Sequence, residues 1–141
     1  MISVYYDGKC GLCSREIAHF RKRSPLESIT WHDIARNPGA LEGRNVSQAE
    51  ALMMMHVEDG SGKMHLGVDA FIVMWGQFRG WRLLARILAW PVLYPLAGTA
   101  YRWFAKRRFD RYGHCQVAAR DEDTSSTALL AALKDRPERP A

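Results

Sequence analysis

Cys10 and Cys13, three residues apart in the run Val4-Tyr-Tyr-Asp-Gly-Lys-Cys-Gly-Leu-Cys13, are the residues of this sequence best suited to chemistry. That spacing is close to one helical turn, so on a helix both sulfurs lie on one side and can approach bonding distance. Cys10 falls where a helix is expected to begin. Unpaired backbone N–H groups and the positive end of the helix dipole stabilise a thiolate there, and Lys9 and Arg15 add positive charge nearby. An ordinary thiol near pKa ~8.5 is mostly protonated at neutral pH, and such surroundings lower it by roughly one to several units. Cys13 lies one turn in, on a stripe with Ile17 and Phe20, and is expected to be more shielded. The pair reads as an exposed nucleophile followed by a protected resolving thiol, the arrangement that disulfide exchange needs. Asp7, three residues before Cys10, has two readings. Asp7-Gly8 at a strand end is turn chemistry. A carboxylate there could also accept a proton from Cys13 during resolution, while opposing thiolate formation at Cys10.

The elements that must hold this pair follow from the pattern around it. Ile2 to Tyr6 is β-branched and aromatic and stops at Asp7-Gly8, which predicts a strand and a turn. From Leu12 to Arg23 apolar residues recur at helical spacing until Ser24-Pro25. A second strand is expected over Ser28 to Ile34, and a turn at Asn37-Pro38-Gly39. Ser47, with Glu50 three residues on, caps a short helix. Met54 to Glu58 reads as a strand returned by Asp59-Gly60-Ser61-Gly62 to a partner over Lys63 to Leu66. The order is β-α-β-α-β-β. Asp69 is the expected cap of a helix over Ala70 to Phe78, followed by helices over Trp81 to Trp90 and Thr99 to Tyr112, ended by Pro91 and Gly113. Beyond Cys115 the composition turns polar and Ala-rich. Residues 116–141 read as a flexible tail with a few helical turns at Ala128 to Lys134 and a frayed end from Arg136.

With 141 residues and 16.1 kDa the chain is sized for one domain with a core of its own. Hydrophobic residues at 48% and charged residues at 25% exclude a disordered chain and a disulfide-dense secreted scaffold. Met1-Ile2-Ser3 runs straight into the first strand without a basic, apolar leader, so a cytoplasmic location is expected. In that compartment a CxxC is redox-active or metal-binding rather than a structural bridge. The net charge of +5 is uneven: residues 1–70 carry eight Lys/Arg against nine Asp/Glu, and residues 71–141 twelve against six. The stretch Leu83 to Phe104 is apolar enough to test as a membrane span. Arg86, Arg102, Pro91, Pro95 and Gly98 inside it argue for two short amphipathic helices packed on the core, with an acidic partner or an anionic membrane surface as the alternative use.

Asp7-Gly-Lys-Cys10-Gly-Leu-Cys13 resembles the Asp-x-x-Cys-x-x-Cys signature of the DCC family of thiol-disulfide oxidoreductases. Trp31-His-Asp-Ile, His56-Val-Glu-Asp-Gly60, Gly67-Val-Asp-Ala-Phe71 and the Tyr101 to Arg107 helix follow in the expected order, so the resemblance covers roughly residues 2 to 115. It implies a thioredoxin-like α/β domain over 1–115, with additional C-terminal helices from about residue 70. The sequence departs from ordinary thioredoxins in two ways. Lys9 rather than tryptophan precedes Cys10, and no proline lies between Pro38 and Pro91 to supply the cis-proline that accompanies the dithiol before the third strand.

A zinc site built from Cys10, Cys13, His114 and Cys115 is disfavoured. A lone CxxC supplies two of the four ligands a structural site needs, and the adjacent His114 and Cys115 would strain to face one ion. His19, His32, Asp33, His56 and His65 read as structural or solvated, and Met53, Met54 and Met55 as packing. No bound cofactor or metal is expected. The expected activity is thiol-disulfide exchange by Cys10 and Cys13, with Asp7 in support. Its partners would be a disulfide-containing protein or a low-molecular-weight disulfide, with an external dithiol or thiol as reductant; nucleic acid is not expected. The alternative is a non-catalytic module whose C-terminal Trp/Tyr/Arg surface docks a partner or a membrane, its CxxC vestigial or metal-binding.

Overall fold

The structure, a computed structural model, describes residues 1–134; the frayed end expected from Arg136 lies outside the described residues. β1 (Ile2–Tyr6) is the strand expected from its β-branched and aromatic run. Its side chains alternate, so Ile2 and Val4 enter one buried cluster and Tyr5 another. A strand covered on both faces belongs at the centre of a sheet. β2 (Ile29–Asp33) runs parallel to it with Trp31 opposite Val4, and β3 (His56–Glu58) runs antiparallel on the other side with Val57 opposite Val4. β4 (Met64–Leu66) closes the hairpin with β3, giving the order β2-β1-β3-β4.

Helices cover both faces. α1 (Gly11–Arg21) contributes Ile17 and Phe20, and α3 (Val68–Trp75) contributes Ala70 and Met74, to the cluster around Val4 and Val57. On the opposite face α2 (Gln48–Met53) packs with α5 (Leu93–Arg111), α6 (Gly113–Asp121) and α7 (Ser126–Lys134) around Tyr5, Ile34 and Leu52. Burying each such large apolar side chain contributes roughly 1.5–3 kcal/mol, which fixes the helices to the sheet. The fold is a thioredoxin-like β-α-β-α-β-β core with C-terminal helices added. Ser47 caps α2 as expected, its Oγ accepting the Glu50 N–H at 3.1 Å.

Several boundaries differ from the sequence reading. The cap of α3 is Gly67, at φ 58°, and Asp69 sits in the first turn, where it accepts the Tyr94 hydroxyl at 2.8 Å. α2 runs to Met53, so β3 starts only at His56. The helix expected over Trp81 to Trp90 is a short 3-10 turn, Arg79–Trp81, leading into α4 (Arg82–Leu88). Pro95 does not divide the next helix but lies in its first turn, where a missing N–H costs nothing because those groups have no intrahelical partner. The helical turns expected at Ala128 to Lys134 are α7, but the stretch before them, read as tail, is also largely helical, and Ala118, Ala119, Leu129 and Leu133 are buried against α2 and α5. Leu83, Trp90, Leu96 and Trp103, read as core packing, are exposed.

Candidate active site

The dithiol is placed by the turn that ends β1. The Cys10 N–H donates to the Asp7 carbonyl at 3.2 Å, and the Lys9 N–H donates to Asp7 Oδ1 at 3.0 Å, so the turn role of Asp7 is realised. Gly8 is clamped from outside: its N–H donates to Asp33 Oδ1 at 3.0 Å and its carbonyl accepts the Ser14 hydroxyl at 2.7 Å. A Cβ at Gly8 would overlap the Asp33 carboxylate, so any other residue here must displace that side chain from its hydrogen bonds. Asp33 also accepts the Ala35 N–H and the Arg36 guanidinium, the structural role expected of it. Cys10 is the N-cap of α1, in extended backbone at φ −84° and ψ 120°. Its Sγ accepts the Cys13 N–H at 3.5 Å.

That position divides the two thiols electrically. Cys10 is lowered from the usual 9.0 to about 5, chiefly because the Cys13 thiol hydrogen-bonds to it. Burial opposes the shift, the Cys13 N–H and the nearby Arg108 charge favour it, and the Asp7 carboxylate works against it. Cys13 is pushed well above the usual range by the hydrogen bond it gives to Cys10 and by burial. The cation among the main causes is Arg108, not Lys9 or Arg15, which the sequence had suggested. The exposure pattern is the reverse of the expectation. Cys10 is only 1% exposed, whereas Cys13 is half-buried. As a capping residue Cys10 folds its sulfur back over the helix end instead of outward.

The rest of the site arrives from the C-terminal helices, more than a hundred residues away in sequence. Arg108 of α5, almost fully buried, donates to Asp7 Oδ2 at 3.1 Å, to the Met53 carbonyl at 3.1 Å and to the Leu52 carbonyl. His114, at the start of α6, places Nε2 2.9 and 2.8 Å from the two Asp7 oxygens, a contact that needs the proton on Nε2 when the carboxylate is ionised. Cys115 is buried with Sγ 3.8 Å from Asp7, and its thiol is pushed up to about 12 by burial first and the carboxylate second. His114 and Cys115 thus both face Asp7, which sequence adjacency had argued against, while the CxxC stands apart as a hydrogen-bonded pair. Asp7, His114 and Cys115 bring three ligand atoms within 4.8 Å of one another. The Arg108 guanidinium already shares that carboxylate and puts positive charge where a cation would sit, so the trio suits an ion pair better than a metal.

A small cleft of about 50 Å3 opens onto the site, lined by Cys13, Leu12, Phe71, Tyr101, Phe104 and Arg108 among others. At the approach to β3, where thioredoxins carry the cis-proline, the Met55 N–H donates to the Tyr101 hydroxyl at 3.0 Å. Tyr101 is itself held up to about 12 by burial. Sequence reasoning passed over Arg108 and Tyr101 as site residues and weighed His114 only as a disfavoured metal ligand. A signal for Arg108 existed: it keeps helical spacing with Tyr101, Ala105 and Phe109, so it is a charge on the apolar stripe of its helix, unlike its neighbour Arg107.

Compared with known proteins, residues 4–114 match the family model described as DCC1-like thiol-disulfide oxidoreductase. No curated protein and no solved structure matches the chain significantly.

Proposed function

The chain belongs to the DCC1-like thiol-disulfide oxidoreductase family, and from that premise we propose that Cys10 and Cys13 carry out dithiol–disulfide exchange, with Cys10 attacking first. The observation that carries this reading is the hydrogen-bonded pair at the start of α1, in which Cys10 is held near pKa 5 by the Cys13 thiol and N–H. A thiolate attacks one sulfur of the substrate disulfide, a mixed disulfide forms on Cys10, and the other substrate sulfur leaves as a thiolate that takes a proton. Cys13 then attacks Cys10 Sγ, and its proton passes to the substrate sulfur that departs. The substrate's second sulfur leaves, and a Cys10–Cys13 disulfide remains. Two electrons pass from the dithiol to the substrate, and an external dithiol or thiol restores them. Asp7 supports the pair by holding Arg108 and His114 beside it. Because its oxygens are already shared between those two side chains and the Lys9 N–H, positioning suits it better than taking the Cys13 proton.

The exposure pattern favours a second order of events. Cys13 lines the cleft and Cys10 does not, and the proton shared between the sulfurs could move to Cys10, leaving Cys13 to attack. Single-serine variants separate the two. With glutathione disulfide or insulin as substrate, Cys13→Ser is expected to accumulate a mixed disulfide on Cys10 that mass spectrometry detects, and Cys10→Ser to be inert. A stable adduct on Cys13 in Cys10→Ser, with none on Cys10 in Cys13→Ser, reverses the order. Absence of exchange in the unmodified protein overturns the oxidoreductase assignment of the pair.

A further inference from the structure

We propose that the elbow between α4 and α5 is a docking surface for an anionic lipid membrane. Leu83 and Leu84 on α4, Trp90 and Val92 in the bend, and Leu93 and Leu96 on α5 are all exposed, with Val92 71% open. The outer face of α5 continues this surface: Leu93, Leu96, Ala100, Trp103 and Phe104 follow helical spacing and are exposed, while Ala105, Arg108 and Phe109 on the other side fill the core. α5 is therefore apolar on both sides, and only one side has a partner among the described residues. Scattered exposed apolar residues are ordinary, but a contiguous set of this kind marks a binding surface.

Charge decides what binds there. No acidic residue lies between Asp69 and Asp110, a stretch that carries seven Lys/Arg. Of these, Arg108 and Lys106 are paired with acids, and Arg102 donates to the Leu130 carbonyl. Arg79, Arg82 and Arg86, all exposed, enter no ion pair among the described residues. Arg107 lies 5.3 Å over the Trp103 ring. Apolar tips and tryptophans set among arginines whose stems can lie along the apolar layer are the composition of an element that rests in the headgroup region. The bend favours an elbow that lies on the surface of one leaflet. Among the described residues no single helix is long and apolar enough to cross a membrane, and the two segments, which pass that test only together, are bent by 97°. The elbow would press into one leaflet. Phe104, on the same outer face, also lines the cleft that Cys13 borders, so docking would set that cleft beside the membrane.

The test is co-sedimentation of the full chain with vesicles of phosphatidylcholine alone and of roughly two parts phosphatidylcholine to one part phosphatidylglycerol. Binding is expected to the mixed vesicles only and to weaken with salt. Arg82→Glu with Arg86→Glu should reduce it by about fivefold or more per arginine. Leu93→Asp with Leu96→Asp should abolish it, whereas Val117→Asp, an exposed apolar position on α6, should bind as the unmodified protein does. Circular dichroism confirms that each variant folds. Equal binding to both vesicle types, no binding to either, or equal loss in Val117→Asp overturns the proposal. So does a dimer that forms without vesicles and disappears in the Leu93/Leu96 variant, because a second copy would then own the surface. None of these outcomes depends on whether the dithiol is active.

Discussion

At the scale of single residues the site is a contest between charges held at short range in a partly dry environment. The Cys13 thiol and N–H and the Arg108 guanidinium favour a thiolate on Cys10, and burial and Asp7 oppose it. Arg108 does double duty, since it is also the cation of a buried pair with Asp7, the two side chains being 8% and 2% exposed. Removing one member of a buried pair leaves the other uncompensated and costs roughly 3–5 kcal/mol. Arg108→Met should therefore destabilise the fold by about that amount and raise the midpoint at which Cys10 reacts with iodoacetamide from about 5 toward the ordinary thiol range. Adding Asp7→Asn to Arg108→Met removes the orphaned carboxylate. It should recover much of the stability and bring the midpoint part of the way down. A midpoint unmoved by Arg108→Met, read in folded protein, would show that the capping contacts alone hold the thiolate.

At the scale of elements, α5 ties the added helices to the core through Tyr101, whose hydroxyl is the acceptor for the Met55 N–H just before β3. Tyr101→Phe takes the acceptor from that part-buried backbone donor, a loss of roughly 1 kcal/mol or more. A urea midpoint unchanged by Tyr101→Phe would mean that water satisfies Met55 instead. What was legible in the sequence at this scale was what is decided locally. The strand at Ile2–Tyr6, the Asp7-Gly8 turn, the Ser47 cap and the one-turn spacing of Cys10 and Cys13 all depend on contacts within a few residues. Pro95 was misread because a proline breaks a helix interior but suits its first turn, and which of these applies depends on where the helix starts. The cover on Cys10 and the Asp7–Arg108–His114 cluster were out of reach for another reason. They join residues 101 and 107 positions apart, and periodicity can mark a residue as inward-facing without naming what it meets. Leu83 to Phe104 failed in the opposite sense, because an apolar stripe looks the same whether it faces a core or a surface.

At the scale of the whole molecule, the two halves of the chain divide the work: the first supplies the dithiol and Asp7, and the second supplies the basic helices that cover and charge-balance them. Coupling of that kind makes folding stability depend on pH through the thiols, and the sign can be worked out. Cys10 is lowered in the folded protein from 9.0 to about 5, so between those values the unfolded chain holds a proton there that the folded protein has lost. Stability contributed by Cys10 therefore rises with pH across that window, and it is lost as pH falls through about 5. Cys13 and Cys115 are shifted the other way, the latter to about 12. Above the ordinary thiol range the folded protein keeps protons that the unfolded chain gives up, and their contribution falls as pH rises. The reduced protein should show a thiol-dependent stability maximum near pH 9, the ordinary thiol value from which the two shifts diverge. The Cys10–Cys13 disulfide form has neither thiol to titrate. Urea unfolding of both forms across this range isolates the effect, because every other titrating group is common to the two. The difference in stability, reduced minus oxidised, should climb from pH about 5 to about 9 and then turn over. A difference flat through that window would mean that Cys10 has an ordinary pKa in the folded protein, and the thiolate on which the exchange chemistry depends would be gone.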